Sequence, residues 1–323
     1  MAEKTIDVTA LGELLIDFTE NGMSAQGNPI LEVNPGGAPC NVLAMLQKLG
    51  KQTAFIGKVG DDMFGRQLTE AVSSVGVDTR ALLVDKEVHT TLAFVHTYPD
   101  GDRDFSFYRN PGADMMLTRD EVDEDLIRSS RIFHFGTLSS THEGVREATR
   151  YALDIAKDAG DLISFDPNLR PPLWDSLDDA KREIEYGLGK CDILKISDNE
   201  VEFLFGTDDY DLGARLLKEK YHIPLILITL GPNGSRAYYK DLRVEVAPFL
   251  QEHTIETTGA GDTFCASSLN YVLEHGLDNL TEENLKELLT FANAAASLIT
   301  TKKGALKVMP EKEEVLAFIA SRS

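Results

Sequence analysis

Apolar residues recur along this chain in two alternating patterns. Short, nearly continuous apolar runs, such as Thr53 to Val59 and Pro224 to Leu230, are typical of buried strands. Longer stretches with apolar residues three or four positions apart, such as Glu143 to Ala159, are typical of helices. Segments of these two kinds alternate through most of the chain, and this alternation predicts an α/β fold with a mainly parallel central sheet.

The middle of the chain interrupts the alternation. Thr90 to Tyr98 and Arg103 to Arg109 alternate polar and apolar side chains around Pro99 to Asp102, whose composition is typical of a hairpin turn. Because a hairpin cannot form a parallel crossover, it must join an edge of the sheet or project from it. Together with a strand-like segment at Ile30 to Val33, it predicts a small second sheet that covers a site.

Polar residues follow several of the predicted strands. Asp17 lies near the end of the first apolar run, Ile6 to Phe18, and three later runs are followed by Asp166 to Arg170, Lys195 to Glu200 and Thr229 to Gly234. Ligands of open α/β sheets bind beyond the carboxyl ends of the strands. We therefore expect these segments to line one crevice.

A glycine-rich turn within Glu256 to Phe264, of sequence ETTGAGDTF, follows a strand-like segment and precedes a stretch that predicts a buried helix. Free backbone N–H groups at a helix N-terminus, together with the helix dipole, attract an anion. Asp262 would repel that anion, so its position is explained if its carboxylate takes a proton from a nucleophile that attacks the anion. An ordinary glycine-rich loop with an aspartate in the first helical turn has the same short pattern.

A second turn with two glycines, Pro35 to Asn41, precedes an apolar helix predicted over Val42 to Leu49. Gly36 and Gly37 would let the backbone approach a ligand closely. Asn41 can donate and accept hydrogen bonds at once, as recognition of a sugar diol requires. A tight turn followed by a helix cap would have the same sequence.

Charge restricts the class of partner. The 323 residues are 42% hydrophobic and carry a formal net charge of −21, without a basic cluster to offset it. Such a field repels phosphate backbones and anionic membranes, so we expect neither nucleic acid nor a membrane as a partner. A small anionic ligand would need a few placed cations. Arg109 and Arg170 are candidates, although an arginine at a strand end more often pairs with a carboxylate.

The sequence lacks the motifs of several other classes of functional site. No P-loop, GxGxxG or HExxH motif occurs, and the seven histidines are scattered. The first apolar run is broken by Glu13 and Asp17 and is too short to cross a bilayer, and no signal-peptide pattern precedes it. Three cysteines lie far apart, without a C-x-x-C pair: Cys40, Cys191 and Cys265. We therefore expect a cytoplasmic protein without disulfides or a zinc site.

The two glycine turns together resemble the two signatures of the ribokinase-like (PfkB) carbohydrate kinases. Gly36 to Asn41 and Thr257 to Phe264 occur in the order that the family shows, and the resemblance extends from the first strand through Asn293. Within the family, Phe107 to Met115 and Asp166 to Trp174 most resemble bacterial and plant fructokinases.

This resemblance implies a fold. It is the ribokinase-like three-layer α/β sandwich, with a mainly parallel central sheet and a small β lid. We expect one kinase domain over residues 1–323, with the lid built from about residues 18–34 and 89–112. A homodimer formed through the lid is one expected assembly.

The family pattern also implies roles for single residues. Asp262 matches the catalytic base, and the amides of Gly259, Ala260 and Gly261 match an anion hole that stabilises charge during phosphoryl transfer. Glu200 matches a glutamate that organises hydrated Mg²⁺. The positions implied near the sugar and the transferred phosphate are Asp17, Gly36, Gly37, Asn41, Arg109 and Arg170. The positions implied near the nucleotide are Lys195, Thr229, Gly231, Gly234 and Asn293.

Two positions depart from the family pattern. Ser197 stands where an Asn-x-x-Glu motif has its asparagine, which puts the nucleotide contact of that residue in question. Glu256 stands where an aspartate helps to hold a monovalent cation in some members, so dependence on potassium stays open.

The implied activity is ATP- and Mg²⁺-dependent phosphorylation of the primary hydroxyl of a ketose, foremost fructose to fructose 6-phosphate. A 2-keto-3-deoxygluconate kinase shares the general pattern and would use Arg109 and Arg170 to bind a carboxylate. A sugar sensor of the same fold without catalysis is a more distant alternative. A nucleoside kinase would leave the fructokinase-like middle segments unexplained.

Overall fold

The computed structural model describes residues 3–97 and 103–322, so the predicted hairpin turn at Pro99 to Asp102 lies outside the described residues. The strands, in chain order, are β1 (Ile6–Leu11), β2 (Leu15–Met23), β3 (Pro29–Gly36), β4 (Thr53–Gly60), β5 (Asp78–Asp85), β6 (Leu92–Thr97), β7 (Arg103–Tyr108), β8 (Ser130–Gly136), β9 (Leu162–Asp166), β10 (Ile193–Ser197), β11 (Leu225–Thr229), β12 (Ser235–Tyr239) and β13 (Leu242–Val246).

The α-helices, in the same order, are α1 (Ala38–Lys48), α2 (Met63–Ser74), α3 (Glu124–Arg128), α4 (Glu143–Asp158), α5 (Leu177–Leu188), α6 (Asp198–Phe205), α7 (Tyr210–Tyr221), α8 (Ala260–His275), α9 (Glu282–Ile299) and α10 (Lys312–Arg322). Over the described ranges, no helix combines the length and the apolar character needed to cross a bilayer.

A nine-stranded sheet forms the centre of the molecule, in the spatial order β13-β12-β11-β10-β9-β8-β1-β4-β5. Neighbouring strands from β11 through β5 are parallel, and β12 and β13 add an antiparallel hairpin at one edge. The mainly parallel sheet predicted from the alternating pattern is therefore confirmed.

Helices cover both faces of this sheet, because its strands are apolar on both sides. In β11, Leu225 and Leu227 belong to one core, whereas Ile226 and Ile228 belong to the other. The first core is completed by α1, α2, α8, α9 and α10, and the second by α3 to α7. Side chains alternate between the two faces of a strand, so one continuous apolar run supplies both cores. The result is the three-layer sandwich.

A second sheet of four strands, in the order β3-β2-β6-β7, forms the lid. Its strands β2 and β6 are parallel to each other, and β3 and β7 are antiparallel to their neighbours. Phe18 stacks on Phe94 within this sheet at 4.7 Å between ring centroids. Phe18 also meets Phe64 of α2 edge to face at 5.6 Å, which holds the lid against the main domain.

Two segments of the chain differ from the predicted elements near the site. The single strand predicted over Ile6 to Phe18 is two strands, because β1 ends at Leu11 and β2 begins at Leu15. The connection is buried, so the apolar pattern continues through it and conceals the break. The strand-like segment expected directly before the glycine-rich turn is not a strand, because residues 247–259 contain no helix or strand.

Two further elements also differ. The edge strand β5 has no counterpart among the predicted elements, since its apolar run is only four residues long, Ala81 to Val84, and its side chains are mostly not fully buried. Helix α1 begins at Ala38 rather than at Val42, and this places Asn41 inside the first helical turn.

Candidate active site

A cavity of about 930 Å³ lies between the lid and the carboxyl ends of the parallel strands. Its walls come from strands β2, β3 and β6 of the lid, from the ends of β9, β10 and β11, and from the first turns of α1 and α8. The predicted site residues that line it are Asp17, Gly37, Asn41, Arg170, Lys195, Glu200, Thr229, Gly231, Gly234, Gly259, Ala260, Gly261, Asp262 and Asn293. The crevice expected at the strand ends is therefore present.

Asp262 lies in the first turn of α8, at the floor of the cavity. The residue is 9% exposed, and its Oδ2 accepts a hydrogen bond of 2.8 Å from Nδ2 of Asn41. Burial raises the pKa of Asp262 to about 6, although the bond from Asn41 acts to lower it. A carboxylate with this pKa is ionised at neutral pH and is still basic enough to take a proton from a hydroxyl.

The turn before Asp262 offers backbone donors to an anion. Within the described residues, the N–H groups of Gly259, Gly261 and Asp262 have no acceptor, whereas the N–H of Ala260 donates to the carbonyl of Thr257 at 3.2 Å. The predicted contribution of the Ala260 amide is therefore corrected, because that amide is already engaged. Three donors remain at the positive end of the α8 dipole.

Lys195 provides a cation against this turn. A Cβ on Gly261 would lie 3.1 Å from Nζ of Lys195, and this Nζ is 3.0 Å from Oδ2 of Asp166. Burial acts to lower the pKa of Lys195, but nearby carboxylates, chiefly Asp166 and Glu200, raise it above its ordinary value. The ammonium is therefore charged at neutral pH. It therefore places a positive charge beside the glycine-rich turn.

Asp17 faces the cavity from the lid. Because it lies inside β2, the prediction that it ends a strand of the main sheet is wrong. Burial raises its pKa to about 7, with Arg170 lowering the value and Glu256 raising it. A Cβ on Gly36 would lie 2.2 Å from Oδ2 of Asp17, so any larger residue at Gly36 would displace this carboxylate. Gly36 therefore acts on the site through Asp17, since it does not itself line the cavity.

The opposite end of the cavity is formed by the turn after β11. Thr229 ends this strand, and Gly231 and Gly234 lie in the turn that leads to β12. Asn293 of α9 borders the same region, but its amide is engaged: Oδ1 accepts from the hydroxyl of Ser235 at 2.8 Å, and Nδ2 donates to two backbone carbonyls at 3.2 Å each. Both polar groups of the Asn293 side chain are therefore engaged by protein groups.

Glu200 lines the cavity, and Asp166 is buried at the end of β9. The two oxygens of Glu200 accept the N–H groups of Leu169 and Ser197 at 2.8 Å each, and Ser197 caps α6. Oδ2 of Asp166 is buried, and its partner is the ammonium of Lys195 at 3.0 Å. No cluster of three or more His, Cys, Asp or Glu side chains within 3–97 and 103–322 forms a metal cage. This donor set fits a hydrated Mg²⁺ that is held partly by substrate phosphates.

Comparisons with known proteins identify the family. The model of the pfkB family carbohydrate kinases matches residues 5–312. The chain belongs to this family. It is 43% identical over 314 residues to "Probable fructokinase-2" of Arabidopsis thaliana, covering 97% of this chain and 95% of that protein.

Solved structures share the fold over nearly the whole chain. The ATP-bound fructokinase of Xylella fastidiosa superposes with a TM-score of 0.88 at 30% identity, covering 99% of each chain. A fructokinase double mutant of Vibrio cholerae O395, bound to fructose, ADP and potassium ion, has a TM-score of 0.86 at 27% identity. That match covers 99% of this chain and 100% of the other. The predicted ribokinase-like architecture is confirmed.

Arg109 is the predicted sugar-binding residue that the structure places elsewhere. It lies outside the cavity, where its guanidinium forms an ion pair with Asp114 at 2.7 Å. The remaining donors bind the hydroxyl of Thr141 at 2.7 Å and the carbonyl of Leu138 at 3.0 Å. The predicted contact with substrate is corrected, because this guanidinium is buried and engaged by protein groups.

Glu13 and Glu256 also line the cavity, although the sequence assigned them no role. Glu13 is buried at the connection between β1 and β2, and the available signal was a glutamate inside an apolar run. Glu256 accepts the hydroxyl of Thr258 and, at 3.1 Å, the N–H of Gly304. The Glu256 carboxylate therefore joins the glycine-rich turn to the segment between α9 and α10, a contact that has no local sequence signal.

Proposed function

We propose that the protein is an ATP-dependent fructokinase in which Asp262 is the general base. The observation that carries this proposal is the position of Asp262 in the first turn of α8. Its carboxylate lies beside three unengaged backbone N–H groups and between the lid end and the β11 end of one cavity. A phosphoryl acceptor and a phosphoryl donor placed at the two ends would meet there.

The chemistry is an in-line transfer. Asp262 takes the proton of the primary hydroxyl of fructose, and that oxygen forms a bond to the γ-phosphorus as the bond from this phosphorus to the bridging oxygen of ATP breaks. ADP leaves with the bonding electrons, and Asp262 later returns its proton to solvent. The N–H groups of Gly259, Gly261 and Asp262 and the ammonium of Lys195 stabilise the negative charge that develops.

Mg²⁺ would supply charge neutralisation at the β- and γ-phosphates. Glu200 is the cavity-lining residue that would hold its hydration shell, whereas Asp166 pairs with Lys195. The Lys195 ammonium pairs with Asp166 and interacts electrostatically with Glu200, so it limits their excess charge and favours a contact through water over direct coordination.

The charges around the lid end favour a neutral sugar over a keto acid. Lys195 is paired with Asp166, Arg109 lies outside the cavity, and Arg170 is the cavity-lining cation near Asp17. The same end contains the carboxyl groups of Asp17 and Glu13. A substrate carboxylate would gain one favourable cation and meet acidic groups, whereas sugar hydroxyls can donate to them. This supports fructose over 2-keto-3-deoxygluconate.

A coupled ADP-release assay over a panel of acceptors tests the proposed function. We expect fructose to have the highest kcat/KM among fructose, ribose, 2-keto-3-deoxygluconate, mannose and adenosine. A higher kcat/KM for the keto acid would overturn the assignment of fructose. Tight fructose binding, with no ADP released when any of the acceptors is supplied, would indicate a sugar sensor and not an enzyme.

We also propose that the lid forms a homodimer. Its exposed apolar side chains include Met23, Ile30 and Tyr108, of which Met23 is 64% and Tyr108 67% exposed. Such side chains favour contact with a second lid. Light scattering should give the mass of a dimer for the wild type and of a monomer for the double variant Met23→Asp with Ile30→Asp. A monomeric wild type at all concentrations would contradict the proposal.

We propose that the protein is located in the cytoplasm. Cys40, Cys191 and Cys265 are buried and free, which suits a reducing environment. The formal charge of −21 also gives little attraction to anionic membrane surfaces. Cell fractionation with an antibody to the native protein checks this location, and recovery in an oxidising compartment would contradict it.

A further inference from the structure

Glu13 lies where the chain leaves the large sheet for the lid. It falls in the connection between β1 and β2 and is 4% exposed, and its Oε1 accepts the backbone N–H of Ala38 at 2.9 Å. Ala38 begins α1, where the chain returns from β3 to the main domain. One buried carboxylate therefore joins the outgoing and the returning connection of the β2–β3 hairpin.

Close backbone packing fixes these two connections against each other. Gly37 has φ = 126°, and a Cβ there would lie 2.5 Å from the carbonyl oxygen of Glu13. A Cβ on Gly12 would lie 2.6 Å from Cγ of Pro39. No larger residue fits at Gly37, so the two connections pack tightly at the base of the lid, at a junction of Glu13 and Gly37 that we call the hinge of the lid.

The first turn of α1 transmits the position of this hinge to the catalytic carboxylate. The N–H of Asn41 donates to the carbonyl of Gly37 at 3.0 Å, and Nδ2 of Asn41 donates to Oδ2 of Asp262 at 2.8 Å. Oδ1 of Asn41 is buried and accepts no hydrogen bond from the described residues. Because Asn41 is held through its own helical turn and through Asp262, a shift of Ala38 would move its donor.

Other charged groups surround the hinge. The pair of Arg109 and Asp114 lies close to Glu13, and the hydroxyl of Thr91, just before β6, donates to Asp114. The chain therefore enters β6 and leaves β7 close to the carboxylate of Glu13. Burial raises the pKa of Glu13 to about 7, while the N–H groups of Glu13 and Ala38 and the charge of Arg109 lower it. The neighbouring Cys40 thiol adds no charge, because its pKa is raised well above its ordinary value by burial.

We propose that Glu13 is a positioning residue that ties the hinge of the lid to the orientation of Asp262. This inference rests on the proposed role of Asp262 as the base. The carboxylate of Glu13 fixes Ala38, Ala38 fixes the first turn of α1, and this turn places the Asn41 donor on Asp262. The lid and the base therefore reach their working positions together.

Variants of Glu13 separate this role from a general effect on folding. Glu13→Ala leaves the N–H of Ala38 unpaired, and we expect kcat with fructose to fall about tenfold to hundredfold, with KM for ATP little changed. The acidic limb of the kcat profile should move to higher pH, because Asn41 no longer lowers the pKa of Asp262. Glu13→Gln retains an acceptor oxygen and should restore most of kcat. Glu87→Ala, at an exposed glutamate, controls for the change in net charge.

A double-variant comparison tests the route through Asn41. If Glu13 acts through Asn41, the variant with both Glu13→Ala and Asn41→Ala should lose no more kcat than Asn41→Ala alone. The inference would be overturned if the double variant lost the product of the two single-variant losses in kcat. It would also be overturned if the acidic limb of the kcat profile did not move in Glu13→Ala. If Glu13→Ala does not fold, Glu13→Asp provides the same test, since its shorter side chain does not reach Ala38.

A crystal structure of the Glu13 variant separates this inference from the proposed function. We expect the distance from Nδ2 of Asn41 to Oδ2 of Asp262 to exceed about 3.5 Å in Glu13→Ala, beyond a hydrogen bond. A distance that stays at 2.8 Å would overturn the inference whatever the substrate is. A wild type that phosphorylates none of the acceptors would instead overturn the proposed function.

Discussion

Asn41 donates a hydrogen bond of 2.8 Å to Asp262, a residue 221 positions further along the chain. This bond connects the two glycine turns, because Asn41 lies in the first turn of α1 and Asp262 in the first turn of α8. It stabilises the ionised carboxylate and so opposes the effect of burial on its pKa. The two turns, each of which alone matches an ordinary loop, are therefore joined directly by a hydrogen bond.

Removal of this bond should shift the pH dependence of the reaction. Asn41→Ala removes the largest contribution that lowers the pKa of Asp262, so this pKa should rise above about 6, and the base should be protonated over a wider pH range. We expect the acidic limb of kcat to move upward by about one pH unit, the equivalent of 1.4 kcal/mol. Asn279→Ala, at an exposed asparagine, is the control. An unmoved limb would contradict the assigned effect of the bond.

Arg170 should set the charge of Asp17. Burial raises the pKa of Asp17, and the positive charge of Arg170 lowers it. In Arg170→Gln we expect a pKa of Asp17 above about 7 and a KM for fructose about tenfold higher, because the protonated carboxyl accepts sugar hydroxyls poorly. Steady-state kinetics at pH 7 and pH 9 provide the measurement. Arg66→Gln is the exposed control, and equal KM values for Arg170→Gln and wild type would refute this coupling.

Asp17→Asn should stabilise the fold while it weakens sugar binding. The pKa of Asp17 in the folded state is about 7, above its ordinary value of 3.8, so the protonated carboxyl stabilises the fold at low pH. That stability is present below about pH 4 and is lost as the pH rises through 7. We expect Asp17→Asn to raise the free energy of unfolding by about 1–4 kcal/mol at pH 8 and by little at pH 4. Denaturant unfolding at both values checks this, and equal gains would contradict it.

The parallel sheet and the location of the crevice could be predicted because both depend on local patterns. Strands buried on two faces give continuous apolar runs, and polar residues that follow them lie at one edge of the sheet. Asp17 was misplaced for a related reason: the connection around Glu13 is buried, so the apolar run does not show where β1 ends.

Hydrogen-bond partners distinguish a polar side chain that is engaged by protein from one that is left for a ligand. Arg109 and Asn293 match the positions of the family motif, but the partners that engage them come from folding. Asp114 and Leu138 take the guanidinium of Arg109, and Ser235 takes the amide oxygen of Asn293. No local spacing shows whether a polar side chain will be satisfied by protein or left for a ligand.

Glu256 should support catalysis by fixing the glycine-rich turn. Its carboxylate joins Thr258 to the N–H of Gly304, and its own N–H donates to the carbonyl of Thr300 at 3.1 Å. Glu256→Ala leaves the N–H of Gly304 unpaired, and we expect kcat to fall about tenfold at a fixed potassium concentration, with KM for fructose nearly unchanged. Glu252→Ala, at an exposed glutamate of the preceding segment, is the control. A loss confined to KM would contradict this role.

The most direct test of Asp262 as the general base compares Asp262→Asn with the wild type. The substitution retains the size of the side chain but removes the base, so we predict that kcat with fructose and ATP falls by at least about 100-fold. The variant should remain folded by circular dichroism, and its affinity for fructose should be measured by calorimetry. The predicted result is a folded protein that binds fructose and releases almost no ADP. Near-wild-type ADP release from folded Asp262→Asn would show that Asp262 is not the base.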